Sequence, residues 1–124
     1  MMEGPPFGPP MRAAIKEAKK STERFQLGAA LADKNKVLAT GRNRGKTHTK
    51  FGSGDFSTIH AESDAIRSAI AKGIDPSGKT LFVYRKNCRL SKPCKYCERM
   101  IREFGIKKVV YSKDPGEFAV MVIN

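Results

Sequence analysis

Two short motifs, well separated in the sequence, most constrain what this chain can fold into. The first is H-A-E at residues 60–62, and the second is P-C-K-Y-C at residues 93–97. His60, Cys94 and Cys97 offer one imidazole and two thiolates, and catalytic zinc sites use three protein ligands and leave the fourth tetrahedral position open. The fold therefore has to bring both motifs to one point.

Glu62 is the candidate catalytic residue, because it lies two residues after His60 and can face an open metal position without coordinating the metal. A carboxylate in that place is free to transfer protons. Alternatives stay open, since C-x-x-C also occurs as a redox pair or as half of a structural zinc ribbon. A closed structural site would need a fourth ligand, and only Cys88 and His48 offer another thiolate or imidazole.

Length and charge describe one small domain with anionic partners. The 124 residues, 40% of them apolar, suit a single core, with residues 1–10 as a flexible N-terminal segment and residues 11–124 as the domain. Lys plus Arg number 24 against 12 Asp plus Glu, a formal net charge of +12. Such a charge attracts phosphates, so we expect an anionic small molecule or a nucleic acid as substrate.

The compartment follows from what the sequence lacks. We find no apolar run near 18 residues and no cleavable signal pattern, which predicts a soluble protein with no membrane partner. Three cysteines, two of them in a metal motif, argue against a disulfide framework. We therefore expect a cytoplasmic protein in a reducing environment, with Cys88 as a free thiol.

Hydrophobic periodicity predicts an α/β chain in the order helix, hairpin, helix, strand, helix, strand, strand. A long polar loop precedes the second helix, and a short turn containing Pro115-Gly116 makes the last two strands an antiparallel hairpin. The helices are Met11–Lys20, Ile59–Ala71 and a segment from Pro93 to Gly105 with Met100, Ile101 and Phe104 inward; the strands are Phe25–Ala32, Val37–Thr40, Thr80–Tyr84, Lys107–Ser112 and Phe118–Ile123. This order implies a mixed sheet flanked by helices, with both metal motifs in first turns of helices.

Over residues 11–112 the chain resembles the cytidine deaminase superfamily, whose signature is H-x-E followed by P-C-x-x-C. The segment 24–31 resembles the strand that opens the family's sheet, and the segment 41–43 resembles the one that places an asparagine on the sugar hydroxyl. The resemblance implies a three-layer sandwich with a mixed five-stranded sheet and one Zn²⁺ per chain. It also implies that Asn43 contacts the sugar, that Phe25 lines the base pocket, and that Ala61 and Pro93 contact substrate. A turn asparagine and a core phenylalanine are the alternatives.

Two departures from the family bear on the substrate. Where free-nucleoside deaminases usually have a glutamate that binds the sugar, this chain has Gly45 between Arg44 and Lys46, a basic setting that suits a phosphate. A histidine as first metal ligand resembles nucleotide and polynucleotide deaminases, whereas the short turn before the last strand resembles the nucleoside branch. The signals conflict, and the basic segment from Tyr84 to Lys92 fits either a phosphate contact or a solvated loop.

The expected function is zinc-dependent hydrolytic deamination of cytosine in a nucleoside or nucleotide, with the (deoxy)cytidine monophosphate favoured. A single-stranded DNA or RNA cytosine deaminase is the alternative, with Phe51 and Phe56 available to stack on bases; adenine is a less favoured base. A non-enzymatic nucleic-acid-binding protein with structural zinc is a remote third. The resemblance also implies a homo-oligomer, because small cytidine deaminases often complete each active site with a neighbouring subunit.

Overall fold

The described residues form three layers: one helix, a central sheet, and two further helices on the opposite face. The structure is a computed structural model and describes residues 8–21, 26–45, 58–86, 95–114 and 117–123. The helices are α1 (Gly8–Lys20), α2 (Ala61–Ala71) and α3 (Lys95–Glu103). No described helix has both the length and the apolar content to cross a membrane.

The central sheet has five strands and mixed polarity. In chain order the strands are β1 (Leu27–Asp33), β2 (Lys36–Arg42), β3 (Arg44–Gly45), β4 (Thr58–Ile59), β5 (Thr80–Arg85), β6 (Lys108–Asp114) and β7 (Glu117–Val122). The sheet order is β2-β1-β5-β6-β7, and β3 and β4 form a separate two-stranded sheet. Among the strand pairs of the described residues, only β5–β6 is parallel, and its crossover contains α3. The predicted antiparallel hairpin of the last two strands is confirmed.

Each face of the sheet carries its own apolar core. On one face Met11 and Ala14 of α1 pack against Ala30, Phe82 and Val110. On the other face α2 and α3 cover side chains of β1, β2, β5 and β6, and the buried members are Ala29, Leu31, Ala39, Ala61, Ala65, Ile66, Ala69, Leu81, Val83, Ile101, Ile106 and Val109. Strand β5 is buried on both faces, as its continuous apolar run predicted.

Three details of the predicted secondary structure and core were wrong for identifiable reasons. Helix α1 begins at Gly8, inside the segment predicted to be flexible, because proline is well suited to the first turn and Pro9 and Pro10 lie there. The polar loop after β2 contains β3 and β4, which pair Arg44 with Ile59. Phe104 was predicted to face the core but is 37% exposed, since α3 ends at Glu103.

The contact that seats α2 is an approach of its backbone to the end of β2 at Gly41. A Cβ added there would lie 2.3 Å from the backbone nitrogen of Ala65 and 2.8 Å from the carbonyl oxygen of Ala61, closer than real Cβ contacts allow. The next residue, Arg42, donates its backbone N–H to Oδ2 of Asp64 at 3.0 Å. One glycine and one hydrogen bond therefore fix the first turns of α2 against the sheet.

We expect Gly41→Ala to destabilise the fold and to weaken metal retention together, because the new methyl group would displace the helix that begins beside His60. Overpacking of this kind costs about 1–3 kcal/mol or more. The measurements are the midpoint of thermal unfolding and the zinc retained after dialysis.

Gly28→Ala is the matched control for this experiment. A Cβ at Gly28 would meet α1, at 2.0 Å from the carbonyl oxygen of Ala14, so it should lower stability without displacing α2. If folded Gly28→Ala loses as much zinc as Gly41→Ala, then the contact of Gly41 with α2 is not what positions the metal ligands.

Candidate metal and catalytic site

The start of α2, the start of β1 and the ends of β2 and β5 all lie at one end of the sheet. Strand β1 begins there at Leu27, which pairs with Arg85 at the end of β5, while the neighbouring Gly28 pairs with Arg42 at the end of β2. Helix α2 begins at the same end, because its first turns lie against Gly41. Ligand sites of open α/β sheets characteristically lie beyond the carboxyl ends of parallel strands, which is where β5 ends.

His60 occupies the N-cap position of α2, directly before the first helical residue, Ala61, so the prediction that it lies inside the first turn was wrong. Its backbone is extended (φ −73°, ψ 148°) because the preceding Ile59 belongs to β4. The imidazole makes no capping hydrogen bond to the helix. The cap is completed on the backbone side, where Ser63 Oγ and the Asp64 N–H donate to the His60 carbonyl oxygen at 2.9 and 3.0 Å.

The imidazole of His60 meets the thiol of Cys97, which brings the two motifs together. Nδ1 of His60 lies 3.2 Å from Sγ of Cys97, and the Cys97 side chain is fully buried. Zinc–nitrogen and zinc–sulfur bonds of ordinary length at a tetrahedral angle would separate these atoms by roughly 3.6 Å. The donor pair therefore fits zinc after a shift of a few tenths of an ångström.

Glu62 completes the cluster from the first turn of α2. Ligand atoms of His60, Glu62 and Cys97 all lie within 4.8 Å of one another. Burial raises the pKa of Glu62 to about 7, and a hydrogen bond from its own backbone N–H opposes the rise. A carboxyl group whose pKa lies near neutrality is suited to both accept and donate a proton.

Asn43 is held by hydrogen bonds on its oxygen side, directly after the end of β2. Its Oδ1 accepts from the Leu27 N–H at 2.9 Å and lies 2.7 Å from the hydroxyl of Ser21. Its own backbone N–H donates to the Leu27 carbonyl oxygen at 3.2 Å. The asparagine thus closes the β1–β2 ladder, and its position near the start of α2 follows from the bond between the preceding residue, Arg42, and Asp64 in the first turn of that helix.

Of the remaining predicted site residues, the structure describes Ala61 fully and Arg44 by its backbone. Ala61 is buried in the first turn of α2, and the backbone of Arg44 pairs with Ile59, one residue before His60. The side chain of Arg44 lies outside the described part of the chain. Phe25, Lys46, Pro93 and Cys94 also lie outside the described residues, as do Cys88, His48, Phe51 and Phe56, which were weighed as alternatives.

The sequence-based predictions missed three residues that position the site residues without belonging to either metal motif. Ser21 fixes Asn43, Asp64 binds the end of β2, and Gly41 admits α2. None of the three belongs to a spaced motif. The one signal for Gly41 is that a glycine inside a strand such as β2 often marks a close approach of another backbone.

A protein-family model described as "Cytidine and deoxycytidylate deaminase zinc-binding region" matches residues 10–113. The matched region contains all three candidate zinc ligands and Glu62. No curated protein shows significant sequence similarity to the chain.

Solved deaminase structures share the fold. The dCMP deaminase from cyanophage S-TIM5 in apo form is 27% identical, with a TM-score of 0.67 over 85% of this chain and 80% of that one. The same enzyme in complex with dCMP and dUMP gives 27% identity, a TM-score of 0.65 and coverage of 82% and 76%. The cytidine deaminase from Burkholderia pseudomallei is 23% identical, with a TM-score of 0.73 and coverage of 91% and 89%.

We predict that His60→Ala and Cys97→Ala lose zinc, whereas His48→Ala and Cys88→Ala keep it. The first pair removes donors that lie 3.2 Å apart, and the second pair removes the only other imidazole and one thiol outside both motifs. Zinc content per folded chain, measured by elemental analysis after dialysis, gives the result. Loss of zinc in either control variant would instead indicate a closed structural site.

The raised pKa of Glu62 makes the stability of the metal-free protein depend on pH. The unfolded carboxyl group loses its proton near pH 4.5, whereas the folded one keeps it until about pH 7. The folded state therefore holds the extra proton between these values, and its stability should fall by up to about 3 kcal/mol as pH rises through them.

Urea unfolding of metal-free wild type and Glu62→Gln at pH 4 to 8 measures this effect. The free energy of unfolding of the variant, which has no carboxyl group at position 62, should change less over that range. Parallel pH profiles for the two proteins would show that Glu62 titrates normally.

Proposed function

Since the chain belongs to the family of cytidine and deoxycytidylate deaminases with a zinc-binding region, we propose that it is a zinc-dependent hydrolytic deaminase of cytosine nucleotides. The (deoxy)cytidine monophosphate is the favoured substrate. The products are the corresponding uracil nucleotide and ammonia. The observation that carries this proposal is the buried carboxyl group of Glu62, 4% exposed, clustered with His60 and Cys97.

The metal set consists of His60 and Cys97 together with Cys94. These three residues would hold the zinc, which when bound would supply a water of lowered pKa as the attacking group. Two observations support this ligand set: the 3.2 Å approach of the imidazole and the buried thiol, and the position of Cys97 in the first turn of α3, where the helix dipole favours a thiolate.

Glu62 is the proton carrier of the proposed reaction. Its carboxylate takes a proton from the attacking water, whose oxygen bonds to C4 of the cytosine ring. It passes that proton to the ring nitrogen N3, takes the second proton of the original water from the new hydroxyl group on C4, and passes this one to the amino group. The C4–N4 bond then breaks, the oxygen on C4 becomes the carbonyl oxygen of uracil, and ammonia leaves. Burial favours the neutral form of Glu62, while a divalent cation nearby favours the ionised form, so the two effects together keep the group able to do both steps.

Binding and orientation of the nucleotide fall to residues around the same end of the sheet. We assign the sugar hydroxyl to Asn43 and the phosphate to the basic segment of Arg44 and Lys46. The backbone pairing of Arg44 with Ile59 supports a phosphate site near His60. The base would lie against Phe25, Ala61 and Pro93. The complex of the related phage deaminase with dCMP and dUMP supports a mononucleotide substrate.

A second candidate is a deaminase of cytosine in single-stranded DNA or RNA. It is favoured by the net charge of +12 and by a surface cavity of about 300 Å³ lined by Arg12, Ile15, Lys16 and Lys19 of α1. Cations along a groove are suited to follow a phosphate backbone. Many phosphate contacts would make binding fall steeply with salt, whereas one nucleotide would show a shallow dependence.

Several further expectations remain proposals. The deaminase domain runs from α1, which begins at Gly8, through β7. The protein works in a reducing cytoplasmic compartment where thiolate ligands persist, and it assembles as a homo-oligomer. Sedimentation of the zinc-loaded protein tests the last of these.

Glu62→Gln should abolish turnover while keeping zinc, because the amide retains the shape of the carboxyl group but cannot accept the proton of water. Loss of a general acid–base group typically lowers the rate by about 10²- to 10⁴-fold. The measurement is the fall in ultraviolet absorbance as dCMP or CMP is converted, alongside the zinc content. Activity within a few-fold of wild type in the zinc-replete variant would remove Glu62 from the catalytic role.

A further inference from the structure

We infer that Ser21, at the end of α1, is a positioning residue that orients the carboxamide of Asn43 toward the substrate. This inference rests on the proposed contact between Asn43 and the sugar. Ser21 has no place in either metal motif, and it lies 22 residues before Asn43 in the sequence.

The orientation of the Asn43 carboxamide is fixed by the backbone N–H of Leu27, which can donate a hydrogen bond but cannot accept one. The Leu27 backbone N–H lies 2.9 Å from the side-chain oxygen of Asn43. A backbone N–H only donates, so the atom facing it has to be the oxygen and not the nitrogen of the amide. The carboxamide is therefore assigned by chemistry rather than by a choice between equivalent orientations.

The hydroxyl of Ser21 is the second donor to the same oxygen. Its Oγ lies 2.7 Å from Oδ1 and 2.9 Å from the backbone carbonyl oxygen of Asn43, so one hydroxyl proton serves two acceptors of one residue. Ser21 is 3% exposed and Asn43 is 8% exposed, so water competes little for these bonds.

With two donors on Oδ1, the amide nitrogen Nδ2 is directed to the other branch of the carboxamide, away from Leu27 and Ser21. Nδ2 is the group that can donate to the oxygen of a sugar hydroxyl. The side-chain oxygen of Asn43 thus binds the fold, while its side-chain nitrogen binds the substrate. The asparagine can therefore be a turn residue and a substrate ligand at the same time.

Ser21 is itself held in place from both sides of the sequence. Its backbone N–H donates to the Ala18 carbonyl oxygen at 3.1 Å, and its own carbonyl oxygen accepts a hydrogen bond from the side-chain amide of Gln26. One turn earlier on α1, Glu17 accepts from the Thr40 hydroxyl at 3.1 Å and from Arg42 Nη1 at 3.4 Å. Helix α1 is thereby clamped against the end of β2, directly before Asn43.

The test compares Ser21→Ala, which removes the hydroxyl, with Ser21→Thr, which keeps it. For dCMP we expect KM to rise about 3- to 10-fold in Ser21→Ala, as for the loss of one hydrogen bond, with kcat within about twofold of wild type. Ser21→Thr should restore most of the affinity. On 2′,3′-dideoxycytidine monophosphate, which lacks the hydroxyl, Ser21→Ala and wild type should have the same KM.

A merely structural role for Ser21 would change both substrates alike or change kcat, and either result overturns the inference. An activity-independent measurement separates this from failure of the proposed function: the side-chain amide signal of Asn43 in nitrogen-15 NMR spectra, identified by its absence in Asn43→Asp. Ser21→Ala should shift or broaden this signal in an otherwise unchanged spectrum. An unchanged Asn43 amide signal overturns the positioning role, whether or not the protein deaminates dCMP.

Discussion

The approach of α2 to the end of β2 is the contact on which the rest of the site depends. Because Gly41 has no side chain, the backbone of α2 reaches the sheet at Ala61 and Ala65, and the bond from Arg42 to Asp64 closes the same contact. This contact buries Glu62 and leaves His60 at the helix start, where its imidazole meets Cys97 rather than capping the helix. The proposed metal binding and the proposed proton transfer therefore both depend on one packing contact.

A second consequence is that α1, on the far side of the sheet, takes part in the site without contacting the metal. Glu17 in its last turn binds Arg42 at the end of β2, and Ser21, directly after the helix, binds Asn43, the residue that follows β2. Gly41 and Arg42 thus connect α2 with the next residue, Asn43, which is the residue proposed to bind the sugar. Displacing α1 or α2 would change the distance between Asn43 and the cluster of His60, Glu62 and Cys97.

Much of this was predictable from the sequence because the signals were local. The polar turn after Ala32 predicted the first hairpin, Pro115-Gly116 predicted the last one, and the apolar stripe of α2 predicted its buried face. The start of α1 and the β3–β4 pair were missed. In the first case two prolines resembled a flexible segment, and in the second the strands are two residues long and pair across a polar stretch.

The chemistry of the site divides in the same way. His60, Glu62 and Cys97 were predicted from spacing, since metal ligands of a given chemistry are restricted to few residue types. Ser21 and Asp64 could not be predicted, because a serine or aspartate at the end of a helix or within one is common and its partner lies about 22 residues away in sequence. Only tertiary structure shows which of these side chains reach the site.

Release of ammonia and of the uracil product by the zinc-loaded protein should be measured with cytosine mononucleotides and with cytosine-containing single-stranded oligonucleotides, side by side. We expect turnover of CMP or dCMP. Turnover of the oligonucleotide alone would make the charge of +12 a polynucleotide-binding surface and would contradict the mononucleotide assignment. Release of no ammonia from any amino-bearing base, by protein that retains its zinc, would contradict the catalytic role of the site altogether.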